Sequence, residues 1–225
     1  MTNMIKLDTH VHTSEVSACG RLTAEQMVSL YREAGYAAIV ITDHLKIAEI
    51  PADAHPYETL ERQLRGYIAA RDAAGSDMRV LLGAEIRFPG GDEDYLLFGL
   101  DEQKYFELMR ALPRDLATCR ELAGGLGLLI YQAHPFRPGL KPAPEALLDG
   151  VEVYNGNPRH DSHNHSAHAF AVRSHLRMLS GSDAHQLSDV ARGGILAPEW
   201  VRTSAELVHF LRDTHQPHMI EDGQI

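Results

Sequence analysis

The chain has 225 residues, a length that suits one α/β barrel of roughly 200–250 residues and allows a substantial core. Its formal charge of −10, from 31 acidic against 21 basic residues, repels polyanions at long range and argues against extended nucleic acid as a partner. No run of about 18 apolar residues offers a membrane span, and MTNMIKLDTH lacks the basic segment and apolar stretch of a signal peptide, so a cytoplasmic protein is expected. Two cysteines, Cys19 and Cys119, make no disulfide framework and read as reduced thiols. With no linker, low-complexity tract or repeat, a single domain over 1–225 is the expectation.

The first apolar stretch, Met4, Ile5 and Leu7, reads as a strand and runs into DTHVHTSEVSACG (8–20). Side chains at i and i+2 of a strand point the same way, so the His10 and His12 imidazoles can converge on one point. That point is a metal ion, or the two rings form a half-buried pair hydrogen-bonded to neighbours. Thr23-Ala24-Glu25-Gln26 spells a capping box, and Met27, Leu30, Tyr31 and Ala34 follow at helical spacing, closed by Gly35. AAIVIT (37–42) is a continuous apolar run suited to a strand buried on both faces, with Asp43 and His44 at its end.

A helix near 57–74 precedes the strand MRVLLGAEI (78–86), with Glu85 near its end, and a hairpin partner DYLLFGL at 94–100. Helical segments near 103–124 lead to the strand GLGLLIYQ (125–132) and to Ala133-His134-Pro135. The run GGLGLL (124–129) lacks the Lys-Ser/Thr ending of a phosphate loop and reads as a helix stop entering a strand. GVEVY (150–154) ends at Asn155, a helix near 162–175 follows, and RMLSGSDAH places Asp183 and His185 just beyond its apolar part. A strand near 193–197 and a helix opened by Thr203-Ser204-Ala205-Glu206 complete an alternation of β and α units that suggests a barrel.

His10, His12, Asp43, His44, Glu85, His134, Asn155, Asp183 and His185 all fall at or just past the C-terminal ends of predicted strands, where barrel enzymes build active sites. Ordinary surface polar residues would also occupy strand starts, so the metal reading gains over the alternative.

DTHVHT (8–13), ITDH (41–44), GAE (83–85), AHP (133–135) and GSDAH (181–185), in this order, resemble the polymerase-and-histidinol-phosphatase (PHP) family of metal-dependent phosphoesterases over nearly the whole chain. The resemblance implies a distorted (β/α)7 TIM-like barrel with two or three divalent ions. It implies one ion held by His10, His12, Glu85 and Asp183, a second bridged by Glu85 and held by His134, and a third held by His44, His185 and an acidic residue of the loop after His12. Relatives often read S-x-D-G in that loop; here it reads Ser17-Ala18-Cys19-Gly20, and the acidic role is assigned to Glu15, the alternative being a solvated glutamate. Many relatives also carry a histidine between the bridging glutamate and the HP motif, which residues 86–133 lack, so water, substrate phosphate or a residue of the loop 155–165 would complete the second ion. Asp8 and Asp43 adjoin ligands and either orient them or sit as satisfied core aspartates.

Mixed oxygen and nitrogen donors suit Mn, Zn or Fe, and such ions clamp a phosphate and turn bridging water into hydroxide. Asp43, Arg137 and Asp183 form the candidate catalytic set. Arg137, Asn155, Arg159 and Arg192 are the candidate substrate contacts, with Lys141 as a further cation, each cation having a solvated role as its alternative. In NPRHDSHNHSAHA (157–169), His160, His163, His165 and His168 read as a polar loop entering a helix, with leaving-group recognition as the other possibility. The resulting expectation is hydrolysis of a small phosphorylated metabolite or nucleotide. The alternatives are an exonuclease on short oligonucleotides, a non-catalytic metal-stabilised module, and C–N bond hydrolysis.

Overall fold

The computed structural model describes residues 3–51 and 53–224. In chain order it comprises β1 (Met4–Val11), α1 (Ala24–Glu33), β2 (Ala38–Ile41), β3 (His44–Lys46), α2 (Pro56–Ala74), β4 (Arg79–Leu82), β5 (Ala84–Arg87) and β6 (Asp94–Phe98). Then follow α3 (Glu102–Ala111), α4 (Leu116–Leu126), β7 (Leu129–Gln132), β8 (Gly150–Asn155), α5 (Asn164–Ser174), β9 (Arg177–Gly181), β10 (Gly193–Pro198), α6 (Ser204–Asp213) and β11 (Met219–Glu221). Both expected capping boxes form: Thr23 accepts from the Gln26 N–H and Thr203 from the Glu206 N–H, each with the reciprocal side-chain bond. The buried face of α1 is Ala24, Met27, Val28 and Tyr31; Ala34, expected on that face, is its exposed C-cap.

Hydrogen bonding divides the strands into two sheets, ordered β11-β10-β1-β2-β4 and β3-β5-β6-β7-β8-β9. The neighbouring pairs β1/β2, β2/β4, β3/β5, β7/β8 and β8/β9 are parallel, whereas β6 runs antiparallel to both β5 and β7. The sheets meet at two seams. At one, the expected strand 78–86 breaks at Gly83, so that β4 stays in the first sheet while β5 enters the second. A Cβ at Gly83 would stand 2.9 Å from Val40 Cγ1 and 3.1 Å from the Leu97 carbonyl oxygen, and only glycine permits that approach. The ladder carries on across the seam through Gly83 N to Ile41 O (2.9 Å) and Glu85 N to Asp43 O (3.2 Å). At the other seam the segment after β9 bonds the end of β1, with His12 N to Ala184 O at 3.0 Å and Ala184 N to His10 O at 3.2 Å.

The result is a distorted barrel of the expected type, with β10 and β11 continuing the first sheet beyond β1 through antiparallel pairing. One end is apolar: Leu7, Val40, Leu81, Leu96, Phe98, Leu129 and Leu179 pack with Leu207 and Leu211 of α6. Each fully buried leucine there contributes roughly 1.5–3 kcal/mol relative to exposure. The expected start of the strand at 125 moves to Leu129, because α4 runs to Leu126 and Gly127 ends it at φ 70°. Among the described residues no helix is long and apolar enough to cross a membrane.

Candidate metal centre

Glu85 lies opposite His44 in the parallel register of β3 and β5, and its carboxylate is buried among four imidazoles. Oε1 is 3.2 Å from both His10 Nε2 and His134 Nε2; Oε2 is 2.7 Å from His44 Nδ1 and 3.4 Å from His12 Nε2. Asp183 adds a second carboxylate, with Oδ1 3.6 Å from His10 Nε2, 3.5 Å from His12 Nε2 and 3.3 Å from His185 Nδ1. Seven of the eight expected ligands therefore meet at the C-terminal end of the barrel. His134 (φ 31°) and Asp183 (φ 51°) both occupy the left-handed region that non-glycine residues seldom adopt, and such strain concentrates at functional sites.

The outward nitrogens of three rings are set by their other nitrogens. His10 Nδ1 donates to Glu152 Oε1 (2.9 Å), and His185 Nδ1 donates to the Asp183 carbonyl (3.0 Å). Ser17 Oγ spends its hydrogen on Asp43 Oδ1 (2.7 Å), so it accepts from His12 Nδ1 (3.2 Å). In its neutral, metal-binding form each ring is thereby set in the tautomer whose Nε2 lone pair faces the cavity, the arrangement of metal-bound histidine. His10 Nε2, His12 Nε2 and Glu85 Oε2 are buried without a hydrogen-bond partner, although all lie close to one another. Unpaired buried polar atoms are costly, and a divalent cation that displaces the imidazole protons satisfies them together, so the donor set fits a metal.

Charge follows the same logic. Burial pulls His10 and His44 down, but the Glu152, Glu85 and Asp183 carboxylates around His10 and the Glu85 carboxylate beside His44 outweigh it and hold both rings well above the ordinary imidazole value. Burial and the neighbouring His185 and His44 rings depress His12. Burial would raise Glu85 and Asp183, yet His10 and its neighbours hold both well below the carboxylate range.

Glu152 escapes a sequence reading, since it lies inside GVEVY between two valines. It is fully buried: Oε1 accepts from His10, while Oε2 accepts from the His134 N–H (3.0 Å) and Asn155 Nδ2 (2.9 Å). A Cβ at Gly181 would stand 2.6 Å from His10 Cβ and 2.8 Å from Glu152 Oε1, so only glycine lets β9 pass this pair. Asp94 also went unpredicted. Its carboxylate takes a bidentate pair from Arg87 (2.7 and 2.6 Å), stands 3.9 Å from His134 Nε2, and converges with His44 and Glu85.

The remaining expected residues divide between cavity and surface. Asp43 is buried away from the cluster's centre, accepting from Thr13 N, Thr13 Oγ1 and Ser17 Oγ, each at 2.7 Å, and reaches His12 only through Ser17. Asp8 bonds no imidazole: it accepts from His10 N, Ser182 N, Ser182 Oγ and Tyr31 Oη, and acts as a satisfied core aspartate. Arg137 Nη2 donates to Asp183 Oδ2 (2.7 Å), Asn155 Oδ1 (3.1 Å) and Ser162 Oγ (3.3 Å). Arg137, Arg159 and His160 line a cavity of about 160 Å³ together with Glu85, Asp183 and Cys19. Arg159 is there paired to Asp189 (3.0 Å).

Three expected participants lie elsewhere. The Glu15 carboxylate accepts from the Ala24 N–H (3.0 and 3.1 Å) at the start of α1, and Glu15 lines a second cavity that shares only His44 with the first. Arg192 pairs with exposed Asp222 (2.8 Å), and Lys141 is exposed. His163, the residue preceding α5, and His165 and His168 on that helix are exposed as well.

A family model described as the PHP domain matches residues 8–121, and one described as PHP-associated matches residues 161–214. The chain belongs to the PHP domain family, which is one of metal-dependent phosphoesterases. Three solved structures share its fold at low identity. PsfC from Pseudomonas syringae aligns at 18% identity and TM-score 0.69, covering 97% of this chain and 92% of that one. A candidate metal-dependent phosphoesterase from Bifidobacterium adolescentis aligns at 18% identity and TM-score 0.57, covering 83% and 90%. The lesion-specific endonuclease PfuEndoQ from Pyrococcus furiosus aligns at 16% identity and TM-score 0.61, over 94% of this chain and 56% of that one. No curated protein matches the sequence.

Proposed function

We propose that this protein is a divalent-metal-dependent phosphoesterase that hydrolyses a small phosphorylated metabolite or nucleotide. The observation that carries the reading is the convergence of the unpartnered His10 and His12 Nε2 atoms on the Glu85 carboxylate, with Asp183 Oδ1 beside them. His10, His12, Glu85 and Asp183 would hold one ion, Glu85 and His134 a second, and His44 with His185 a third, the metal being Mn, Zn or Fe. When bound, such ions act as Lewis acids on phosphate and lower the pKa of coordinated water towards neutrality.

The chain's own residues prepare the rest. Glu152, Ser17 and the Asp183 carbonyl fix three imidazole tautomers before any ion arrives. Arg137 is half-buried and lines the cavity beside Asp183, which places its guanidinium to meet a phosphate oxygen there. Asn155 orients that guanidinium and also donates to Asp183 Oδ2 (3.3 Å). The cavity of about 160 Å³ suits a phosphate with a small leaving group, and the acidic chain disfavours a long polyanionic strand.

Metal analysis of protein purified without chelator, followed by a phosphate-release screen over nucleotides, bisphosphates, sugar phosphates and histidinol phosphate, tests the reading. Release from at least one ester by metal-loaded protein is expected. Metal-loaded protein that releases phosphate from none of them, or that cleaves C–N bonds instead, would overturn it.

A further inference from the structure

We infer that Cys19 is a metal ligand: its thiolate, with the imidazoles of His44 and His185, forms a sulfur-containing cation site at the cavity rim. The inference rests on the phosphoesterase reading and deepens it by naming the donor that accompanies the outermost histidine pair.

Cys19 Sγ stands 3.2 Å from His44 Nε2 and reaches the His185 side chain as well. Two donors sharing one tetrahedral zinc, at about 2.3 Å for sulfur and 2.0–2.1 Å for nitrogen, lie roughly 3.6 Å apart, so the observed spacing is close to that of a ligand pair. A second observation is independent of the cysteine. His12 stacks on His185 with ring centroids 4.1 Å apart and lies tilted against His44 at 4.4 Å, and each of the three offers a donor atom to one small space. His12 Nε2, buried without a partner, stands where this space meets the one around Glu85 and Asp183. Three imidazole donor atoms gathered within 4.8 Å of one another are what a single cation would join.

The loop that carries Cys19 is pinned on both sides. Ser17 Oγ binds Asp43 and accepts from the His44 N–H (3.1 Å), Gly20 N bonds Ser17 O (2.8 Å), and Arg21 N bonds the His185 carbonyl (2.7 Å). Cys19 is therefore delivered between the two histidines that hold its loop. Glu15, the carboxylate of the same loop, is occupied by the Ala24 N–H, which leaves sulfur as the anionic donor. On binding, the thiol proton passes to solvent and the Sγ–metal bond takes its place. A soft sulfur donor favours Zn, Fe or Co over Mn or Mg, so this site differs in metal preference from the oxygen-and-nitrogen set around Glu85.

The test is titration of metal-free protein with cobalt(II), read in the near ultraviolet, where a thiolate ligand gives a charge-transfer band that oxygen and nitrogen donors do not. Wild type should develop the band, and Cys119→Ala should keep it, because Cys119 is buried in the core away from the site. Cys19→Ser should lose the band while still binding cobalt at the other donors, and Cys19→Asp should bind cobalt without the band. Circular dichroism on each variant confirms folding, and if Cys119→Ala does not fold, wild type against Cys19→Ser decides alone. Cobalt uptake by wild type without the band, or a band that persists in Cys19→Ser, overturns the assignment; no uptake overturns it together with the metal reading. Phosphate release measured on the same samples keeps the two readings apart. Release without the band defeats Cys19 alone, and the band without release from any ester defeats the phosphoesterase reading alone.

Discussion

Asp8 and Asp43 are as buried as Glu85 and Asp183, yet the two pairs face opposite kinds of neighbour. Asp8 and Asp43 are surrounded by donors: backbone N–H groups and hydroxyls fill their oxygens. Glu85 and Asp183 Oδ1 face a cluster of imidazole nitrogens, where His10 Nε2, His12 Nε2 and Glu85 Oε2 stay buried and unpaired, while Arg137 and Asn155 donate to Asp183 Oδ2. A buried carboxylate whose neighbours are all paired ties strands together, whereas one among unpaired imidazole nitrogens calls for a cation. Burial alone does not separate the two roles; the polarity of the partners does.

The largest expected effect falls on the second pair. Asp183→Asn should abolish phosphate release and lower metal content, because the amide keeps the shape without the charge that holds a cation. Asparagine tolerates the left-handed backbone at φ 51° as well as aspartate does, so the fold should persist by circular dichroism. A folded variant with full metal and full turnover would erase the distinction between the pairs.

Arg137→Ala should cost about 2–4 kcal/mol of transition-state stabilisation, read from kcat/KM, with metal content unchanged. Unchanged kcat/KM would return Arg137 to the role of partner for Asp183.

The two pairs should also part in their response to pH. Burial, against opposing hydrogen bonds, pushes Asp8 and Asp43 up to about 6 from 3.8. Groups raised in this way contribute stability that is present below about pH 4 and lost as pH rises through about 6, roughly 2–3 kcal/mol each. His10, His44 and His185, also raised, act in the same sense, while depressed His12 opposes them. Glu85 and Asp183 are held low, so their contribution is present above about pH 4 and fails only below it. Metal-free protein should therefore gain thermal stability from about pH 7.5 to pH 5, whereas metal-loaded protein should lose it as protons displace the ions. Melting curves of the two forms check this, and parallel trends would contradict it.

The smallest effect is expected at Arg192. Its ion pair with exposed Asp222 is solvated, so Arg192→Ala should change stability by less than about 0.5 kcal/mol and phosphate release by less than about twofold. A larger loss of release would place this cation at the substrate after all.

Much of the site could be read because parallel strands announce their C-terminal ends: Asp43, His44, His134, Asp183 and His185 each follow an apolar run. Asp94 escaped because β6 is antiparallel, which brings the start of that strand, not its end, to the same level as Arg87 at the end of β5. Glu152 escaped because a carboxylate between Val151 and Val153 carries no end-of-strand signal; only the partner across the barrel, His10, explains it. The break at Gly83 was hidden in an unbroken apolar run, since the cause is the approach of Val40 and Leu97 from distant segments. Glu15 and Cys19 lie four residues apart in one loop, and which of them meets His44 depends on the bond that Ala24 offers to Glu15, a contact of the folded chain alone.

Metal content and hydrolysis of a generic aryl phosphate, measured on one preparation before chelation, after chelation and after metal is restored, test the metal centre most directly. About two or three ions per chain should be present, activity should disappear with them, and Mn, Zn or Fe should bring it back. Full turnover by metal-free protein would contradict the role assigned to His10, His12, Glu85 and Asp183.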